Sequence, residues 1–261
     1  NAMWGAGQMM FNKILVLSDG QAASGIPIDD YKNLARYVLN NLNPVTDVYF
    51  SQGPMDVLDH SCSKLGFGGK MCIDGTQKTD EEITTPLLPF KADPGFSKSS
   101  LMSSLPEITG INDRLASDWD IPVLFVAVKK GRSNHVRDVH NTICKDPTLN
   151  NIKIICYVEH TVSTDDIADV LWRFCNNLDP KRDHFYAGSK QHILGLDGTR
   201  KTKKLDGFER PWPNILASDD ETIAAVDKKW ADLGLGPIIN SPSLRYKTQL
   251  YGGAASVYDN D

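Results

Sequence analysis

No stretch of the sequence approaches the ~20 consecutive apolar residues that a membrane-spanning helix needs, so no membrane span is expected. An excess of positive charge is also missing. The 28 Lys and Arg face 33 Asp and Glu, a net charge of −5 with histidine neutral. A dedicated nucleic-acid binder must neutralise phosphates, so nucleic acid is not an expected partner. Cysteine is scarce and odd in number: Cys62, Cys72, Cys144, Cys156 and Cys175 in 261 residues. That pattern reads as reduced thiols of a cytoplasmic protein rather than a disulfide frame. CxxC, HExxH and GxSxG are all absent, which removes the commonest zinc, metalloprotease and nucleophile-elbow signatures. No signal peptide is expected. The hydrophobic fraction of 41% and charged fraction of 23% are those of an ordinary globular chain with ample core.

What the sequence does have is an internal repeat. Lys13-Ile14-Leu15-Val16-Leu17 corresponds to Lys153-Ile154-Ile155-Cys156-Tyr157, each an apolar run of strand length. Each is followed by an acidic helix start, Asp29-Asp30 in the first copy and Asp165-Asp166 in the second. Acidic groups there suit the positive end of the helix dipole. Tyr31, Leu34, Ala35, Val38 and Leu42 have helical spacing, as do Ile167, Val170, Leu171, Phe174 and Leu178. Both helices end alike, at Leu42-Asn43-Pro44 and Leu178-Asp179-Pro180. A short strand follows each, Asp47–Phe50 against Asp183–Tyr186. The copies re-align at Ile73-Asp74-Gly75-Thr76-Gln77-Lys78 and Leu196-Asp197-Gly198-Thr199-Arg200-Lys201.

The second copy has an earlier strand, Ile121–Val128, then a turn Lys129-Lys130-Gly131-Arg132. Ser133 or Asn134 can cap a helix from about His135 to Cys144. In the first copy only Met3–Phe11 survives of that helix, read as its end. Asn1-Ala2 ahead of Met3 reads as the remnant of a cleaved tag, so the chain is expected to be cut from something longer. The expected fold class is α/β: layered α/β/α units with a mostly parallel sheet, in two tandem copies. The first unit spans 3–92, a linker 93–120, the second unit 121–235 and an irregular tail 236–261. An amphipathic helix is expected over 219–233, with Ile223, Val226, Trp230 and Leu233 on one face.

Each chemically suggestive motif has a plainer reading. Gly66-Phe-Gly-Gly-Lys70 lacks the Ser/Thr and helix of a phosphate loop and reads as a turn. The paired acids Asp29-Asp30, Asp165-Asp166 and Asp219-Asp220 read as helix caps rather than acid–base pairs. The six histidines form no ligand spacing; His135 and His140 are five apart and point in different directions on a helix. Cys62 and His60 offer a weak nucleophile pair. The Lys129–Arg132 turn lies where a buried strand ends ahead of a helix N-terminus, a place suited to an anion.

Several of these residues together resemble the C-terminal domain of the UbiD-family decarboxylases. They are Asp165-Asp166, Val170-Leu171-Trp172, Leu178–Asp183, Gly195–Lys201, Gly207-Phe208, Arg210–Pro213 and Trp230–Leu233. Val126–Lys129 with His135, and Leu58-Asp59, Gly66, Gly68, Lys70 and Ile73–Thr76 in the first copy, extend the match. The resemblance covers most of 3–90 and 121–235. Two copies are a departure, since the usual member carries the domain once. The resemblance implies a reversible, non-oxidative decarboxylase of aromatic or α,β-unsaturated acids, as in the 4-hydroxybenzoate step of ubiquinone or menaquinone biosynthesis. It implies prenylated FMN with a divalent metal and potassium, held mainly by an N-terminal flavin-binding domain with no match in this chain. The C-terminal domain is the family's dimerisation platform and lends a lysine to the cofactor phosphate; Lys129 occupies that position. The chain is therefore expected to be the oligomerisation and cleft-closing region of a carboxy-lyase. It should have no catalytic residue, no metal and no resident cofactor, and should be inactive by itself. The expected partners are its own flavin-binding domain and further copies of itself. Leu87, Leu88, Phe90, Tyr246, Leu250 and Tyr251 are the candidate interface residues. The alternative expectation is a non-catalytic anion-binding module using Lys129–Arg132.

Overall fold

Continuous apolar runs at 123–128 and 154–158 form strands that are buried along their whole length. They lie in a five-stranded sheet of the computed structural model, which describes residues 2–82, 90–93, 95–187 and 192–257. The chain divides into two compact units, Asn1–Arg210 and Pro211–Asp261.

The first unit opens with two 3-10 turns, Met3–Gly5 and Gly7–Phe11, where the end of a helix was expected. Gly5 and Gly7 break the run, Gly7 in the left-handed region at φ +53°. Then come β1 (Ile14–Leu17), α1 (Gln21–Ser24), α2 (Tyr31–Asn40), β2 (Val48–Pro54) and β3 (Phe67–Asp74). These strands form a three-stranded sheet in the order β1-β3-β2, with β1 parallel and β2 antiparallel to β3.

Residues 93–120, expected as a linker, instead carry α3 (Lys98–Ser104), β4 (Ile108–Asn112) and α4 (Arg114–Trp119). β4 is a short antiparallel edge strand, and its register shifts between Ile108 and Gly110. It buries only Ile108, Ile111 and Asn112, too little apolar content to stand out in the sequence. The chain continues through β5 (Val123–Val128), α5 (His135–Ile143), β6 (Ile154–Glu159), α6 (Ile167–Asn177), α7 (Pro180–Asp183), β7 (His184–Tyr186), β8 (Leu194–Asp197) and α8 (Lys203–Asp206). The five-stranded order is β4-β5-β6-β8-β7. β5, β6 and β8 run parallel, while β4 and β7 are antiparallel edges. The fold is α/β, but its sheets are mixed rather than mostly parallel, because the second strand of each repeat, β2 and β7, runs antiparallel to its neighbour.

Registers in the two repeats agree residue for residue. Leu15 pairs with Cys72 and Tyr49 with Cys72; Ile155 pairs with Gly195 and Phe185 with Gly195. Alternation along β6 sends Ile154, Cys156 and Val158 to one apolar cluster and Ile155 and Tyr157 to another. The first of these clusters also takes Val38 and Leu42 from the first repeat and Val170, Phe174 and Leu178 from the second. Lys13 Nζ donates to the Cys175 carbonyl in the last turn of α6 at 3.2 Å. Lys153 Nζ donates to the Leu39 and Asn40 carbonyls that end α2, at 2.9 and 2.7 Å. Each repeat thus caps the other's helix, satisfying carbonyls that a helix end leaves unpaired.

Within the second unit, β9 (Trp212–Pro213) pairs antiparallel with β10 (Ser256–Val257). Between them lie α9 (Asp220–Lys229), a 3-10 turn Trp230–Leu233 and α10 (Ser243–Tyr246). Of the face expected at 219–233, Ile223 is buried, while Val226 and Leu233 are exposed. The unit boundary after Arg210, rather than after residue 235, places α9 with the tail. The Asn214 amide donates to the Tyr251 and Ala254 carbonyls at 2.8 and 3.0 Å and ties that tail down. Among the candidate interface residues, Leu87 and Leu88 lie outside the described residues. Phe90 is buried in the core, which corrects its assignment as a surface contact; Leu250 is exposed, and Tyr246 and Tyr251 are half-buried.

A Cβ at Gly75 would sit 2.6 Å from the Val38 Cα, and one at Gly198 would sit 3.1 Å from the Phe174 Cα. Gly75→Ala and Gly198→Ala should each cost about 1–3 kcal/mol by overpacking this strand–helix contact. The expected readout is a lower urea midpoint at unchanged slope; an unchanged midpoint would show that the contact is loose.

Candidate functional site

β8 ends at Asp197, and the chain turns at once. The Thr199 N–H and Oγ–H both donate to Asp197 Oδ1, at 2.9 and 2.6 Å, closing a tight polar turn. Lys201 folds back over it. Its Nζ donates to the Asp197 and Thr199 carbonyls, each at 2.8 Å, and lies 3.3 Å from Asp197 Oδ1 and 3.7 Å from Asp183 Oδ1. Asp183, at the end of α7, is gripped by the Arg182 guanidinium through two contacts of 2.7 Å and by the Asp179 N–H at 2.8 Å. Burial pushes the Asp183 carboxyl above the usual carboxylate range despite Lys201 and Arg182. Burial also raises Asp197, but Lys201, Lys130 and the Thr199 bonds outweigh it, so Asp197 stays below that range.

The first repeat builds the same corner. The Thr76 N–H and Oγ–H donate to Asp74 Oδ1 at 3.1 and 2.6 Å. Lys78 Nζ donates to the Asp74 and Thr76 carbonyls and lies 3.9 Å from Asp47.

Beside the second corner is an open cleft of about 530 Å³. The start of α5 forms one wall, from Ser133 to Arg137, and α8 forms another. Lys130, Arg137, Arg182, Lys201, Lys203 and Lys204 line it against Asp183, Asp197 and Asp206. Lys130 Nζ spans the cleft floor. It donates to both Asp206 oxygens at 2.9 and 2.8 Å, to the Arg200 carbonyl at 2.7 Å and to Thr199 Oγ1 at 3.3 Å. Burial and the neighbouring Lys201 hold the Lys130 ammonium below its ordinary range. This surplus of cations beside a helix N-terminus attracts an anion, a phosphate or carboxylate. The carboxylates of the cleft are paired with its cations, Asp206 with Lys130 and Asp183 and Asp197 with Lys201.

The Lys129–Arg132 turn is only partly in this site. Lys129 is exposed and does not line the cleft, while its neighbour Lys130 does. Arg132 is paired with Asp138. Asn134 takes the N-cap position of α5 in a left-handed conformation, and its side chain makes no capping bond. Lys130 belongs to the turn expected to hold an anion, whereas the lining residues Arg182, Lys201, Lys203 and Lys204 were not among the expected site residues. The repetition of Asp-Gly-Thr-x-Lys was the signal that pointed to that corner.

Of the other motifs, the Gly66–Lys70 segment was expected as a turn, but from Phe67 onward it is strand β3. Asp30, Asp166 and Asp219 accept N–H bonds as helix caps. Lys70 lies in strand β3, buried, with Nζ donating to the Met10 and Asn12 carbonyls at 2.6 and 3.0 Å. Cys62 is buried, and burial pushes its thiol up to about 11, far from a nucleophile at neutral pH. His60 Nε2 meets Asn177 Oδ1 at 3.0 Å. His140 is a core residue whose Nδ1 meets the Tyr157 hydroxyl at 2.9 Å. Among the described residues no cluster of three or more His, Cys, Asp or Glu side chains could hold a metal ion, and no helix is long and apolar enough to cross a membrane.

A family model described as 3-octaprenyl-4-hydroxybenzoate carboxy-lyase C-terminal domain matches residues 1–75 and 99–203. An uncharacterized protein of Helicobacter pylori J99 is 26% identical over 232 residues, 88% of this chain and 35% of that protein. Another from Archaeoglobus fulgidus is 28% identical over 142 residues, 49% of this chain and 29% of its own length. The chain thus spans about a third of the length of these curated relatives. Among solved structures, the closed form of vanillic acid decarboxylase from Sedimentibacter hydroxybenzoicus matches at TM-score 0.41 and 12% identity, covering 66% of this chain and 39% of that one. The UbiD-class enzyme HmfF of Pelotomaculum thermopropionicum, in complex with prFMN, matches at 0.33 and 15% identity, over 43% and 24%.

Two predictions follow from the geometry of these buried groups. Lys201→Met leaves Asp183 and Asp197 short of a cation and should cost about 3–5 kcal/mol in chemical denaturation; a loss under about 1 kcal/mol would mean that Arg182 and Lys130 suffice. Burial lowers the His140 pKa from 6.5 to about 4. Between those values the unfolded chain binds a proton that the folded chain refuses, so this contribution is whole above pH 6.5 and falls away as the pH drops, by about 3 kcal/mol in all. In His140→Gln that part of the acid slope should vanish; an unchanged slope would place the acid lability elsewhere.

Proposed function

Because the chain belongs to the family of 3-octaprenyl-4-hydroxybenzoate carboxy-lyase C-terminal domains, we propose that it is the C-terminal region of a prenylated-FMN-dependent decarboxylase of aromatic acids. In this reading it serves oligomerisation and closes the substrate cleft, and it is inactive by itself. The parent protein is a cytoplasmic carboxy-lyase of the 4-hydroxybenzoate type. The match of the family model across both repeats is the observation that carries the reading. The duplication of a layered α/β/α domain is part of it, supported by the shared register and the repeated Asp-Gly-Thr-x-Lys corner.

The cleft residues suit a phosphate group better than a flavin ring. Six cations line it, while Phe185 is the one aromatic side chain among its described lining residues. This chain's part is therefore to hold and orient a phosphate through Lys130, Lys203 and Lys204. Prenylated FMN, when bound, supplies the electron sink for loss of carbon dioxide. The divalent metal and potassium, like the ring, belong to the flavin-binding part of the longer protein.

Cofactor content tests the proposal. This chain and the longer parent polypeptide would be purified from cells that also make the flavin prenyltransferase, and their absorbance and mass spectra recorded. The expected result is prenylated FMN in the longer protein alone. Prenylated FMN in the 261-residue chain by itself would overturn the platform reading.

The cleft supports a second reading, a non-catalytic anion-binding module. It predicts a rise in melting temperature with phosphate for this chain alone, lost in Lys204→Ala and kept in Lys129→Ala, whose side chain does not line the cleft. No shift at millimolar phosphate would remove it.

A further inference from the structure

The two matched sheets of the first unit differ in how they are covered. On the β6-β8-β7 side, Ile155, Tyr157 and Phe185 face α5, whose Val136, Val139 and Ile143 join them in one apolar cluster. Tyr157 is 0% exposed and Phe185 6%. By register their counterparts on the other sheet are Leu15, Leu17 and Tyr49. None of these three belongs to either apolar cluster; Leu17 is 38% exposed and Tyr49 56%. The outer edge of β1 has no strand beside it among the described residues. Its counterpart β6 has β5 there, parallel from Val123↔Ile154 to Val128↔Glu159. Strands in parallel pairing are normally covered on both faces, and a bare edge invites pairing.

We propose that the edge of β1 and the face of Leu15, Leu17 and Tyr49 are a docking surface for a strand–turn–helix element like residues 123–143. The same polypeptide supplies it from outside these 261 residues. The second repeat states what fits. A parallel apolar strand extends β1, and an amphipathic helix lays its apolar stripe over Leu17 and Tyr49. A lysine just past the incoming strand reaches Thr76 Oγ1 and the Gln77 carbonyl. Those acceptors match Thr199 Oγ1 and the Arg200 carbonyl, which hold Lys130 at 3.3 and 2.7 Å. The Helicobacter pylori relative, about 2.5 times this long by its coverage, leaves room for such a segment, and covalent attachment keeps its local concentration high. The source of the occupant rests on the reading of this chain as a region of a longer protein.

The test compares this chain with the full-length polypeptide. Tyr49→Lys should shift the melting temperature of the 261-residue chain by less than about 2 °C, because the site is open there. In the full-length protein it should lower it by more than about 5 °C. Independently of any variant, the amides of Ile14–Leu17 should exchange at least about 100-fold more slowly in the full-length protein. Equal exchange and equally small shifts at both lengths overturn the proposal. Concentration-dependent protection in the 261-residue chain would name a second copy as the occupant and overturn it too. The carboxy-lyase reading fails separately: a full-length protein with protected β1 and no prenylated FMN sinks that reading alone, and a cofactor-bearing protein with exposed β1 sinks only this one.

Discussion

α2 and α6 each cover their own sheet, and their buried stripes meet in one apolar cluster. Val38 in α2 and Leu42 just past it lie with Val170 and Phe174 in α6 and Leu178 just past it, against Met71 and Ile73 of the first sheet and Leu194 and Leu196 of the second. Leu42 and Leu178 have no exposed surface at all. Each such side chain contributes about 1.5–3 kcal/mol that neither repeat could recover alone. Polar contacts fix the orientation. Lys13 and Lys153 cap each other's helices, and Phe50 stacks on His184 with centroids 3.7 Å apart. The Tyr186 hydroxyl donates to the Pro44 carbonyl at 2.7 Å, and the Gly69 N–H donates to Asp179. Removing one repeat would bare half of this core and strand buried polar groups.

That packing also explains where the charged corners lie. Gly75 and Gly198 let strand ends pass directly against Val38 and Phe174, so each chain emerges at the end of its sheet in a tight Asp–Thr turn. There the lysine at the fourth position bridges the turn's carbonyls and a buried aspartate. In the second repeat the neighbouring β5 and α5 add Lys130 and Arg137, and α7 adds Arg182, so a structural corner becomes the floor of a cationic cleft. The first repeat has the corner without those walls. The two matching corners thus differ in their surroundings, one beside a cation-lined cleft and one without it.

Much of this was legible in the sequence because the repeat constrains pattern twice over. The strands at 14–17 and 154–159, the capping aspartates and the helical stripes follow from period and chemistry alone. β4 escaped notice because an antiparallel edge strand of five residues with three buried side chains carries little apolar signal. Lys129 and Lys130 show the limit of spacing arguments. Successive residues leaving a strand point to opposite sides, so of the turn's two lysines Lys130 rather than Lys129 lines the cleft. The charge network of Asp183, Arg182 and Lys201 joins residues far apart in sequence, which no local pattern reveals. The boundary after Arg210 was hidden because α9 has an apolar stripe that reads as a core helix, although of that stripe only Ile223 is buried.

Equilibrium unfolding in urea tests the shared core most directly. Hydrogen exchange would be followed at Met71 in β3 and at Cys156 in β6, one amide from each sheet. If one core holds both, the two amides open with the same free energy and the same dependence on urea. A markedly lower opening energy at Met71 would mean that the sheets unfold separately, and the shared core would not be what joins the repeats.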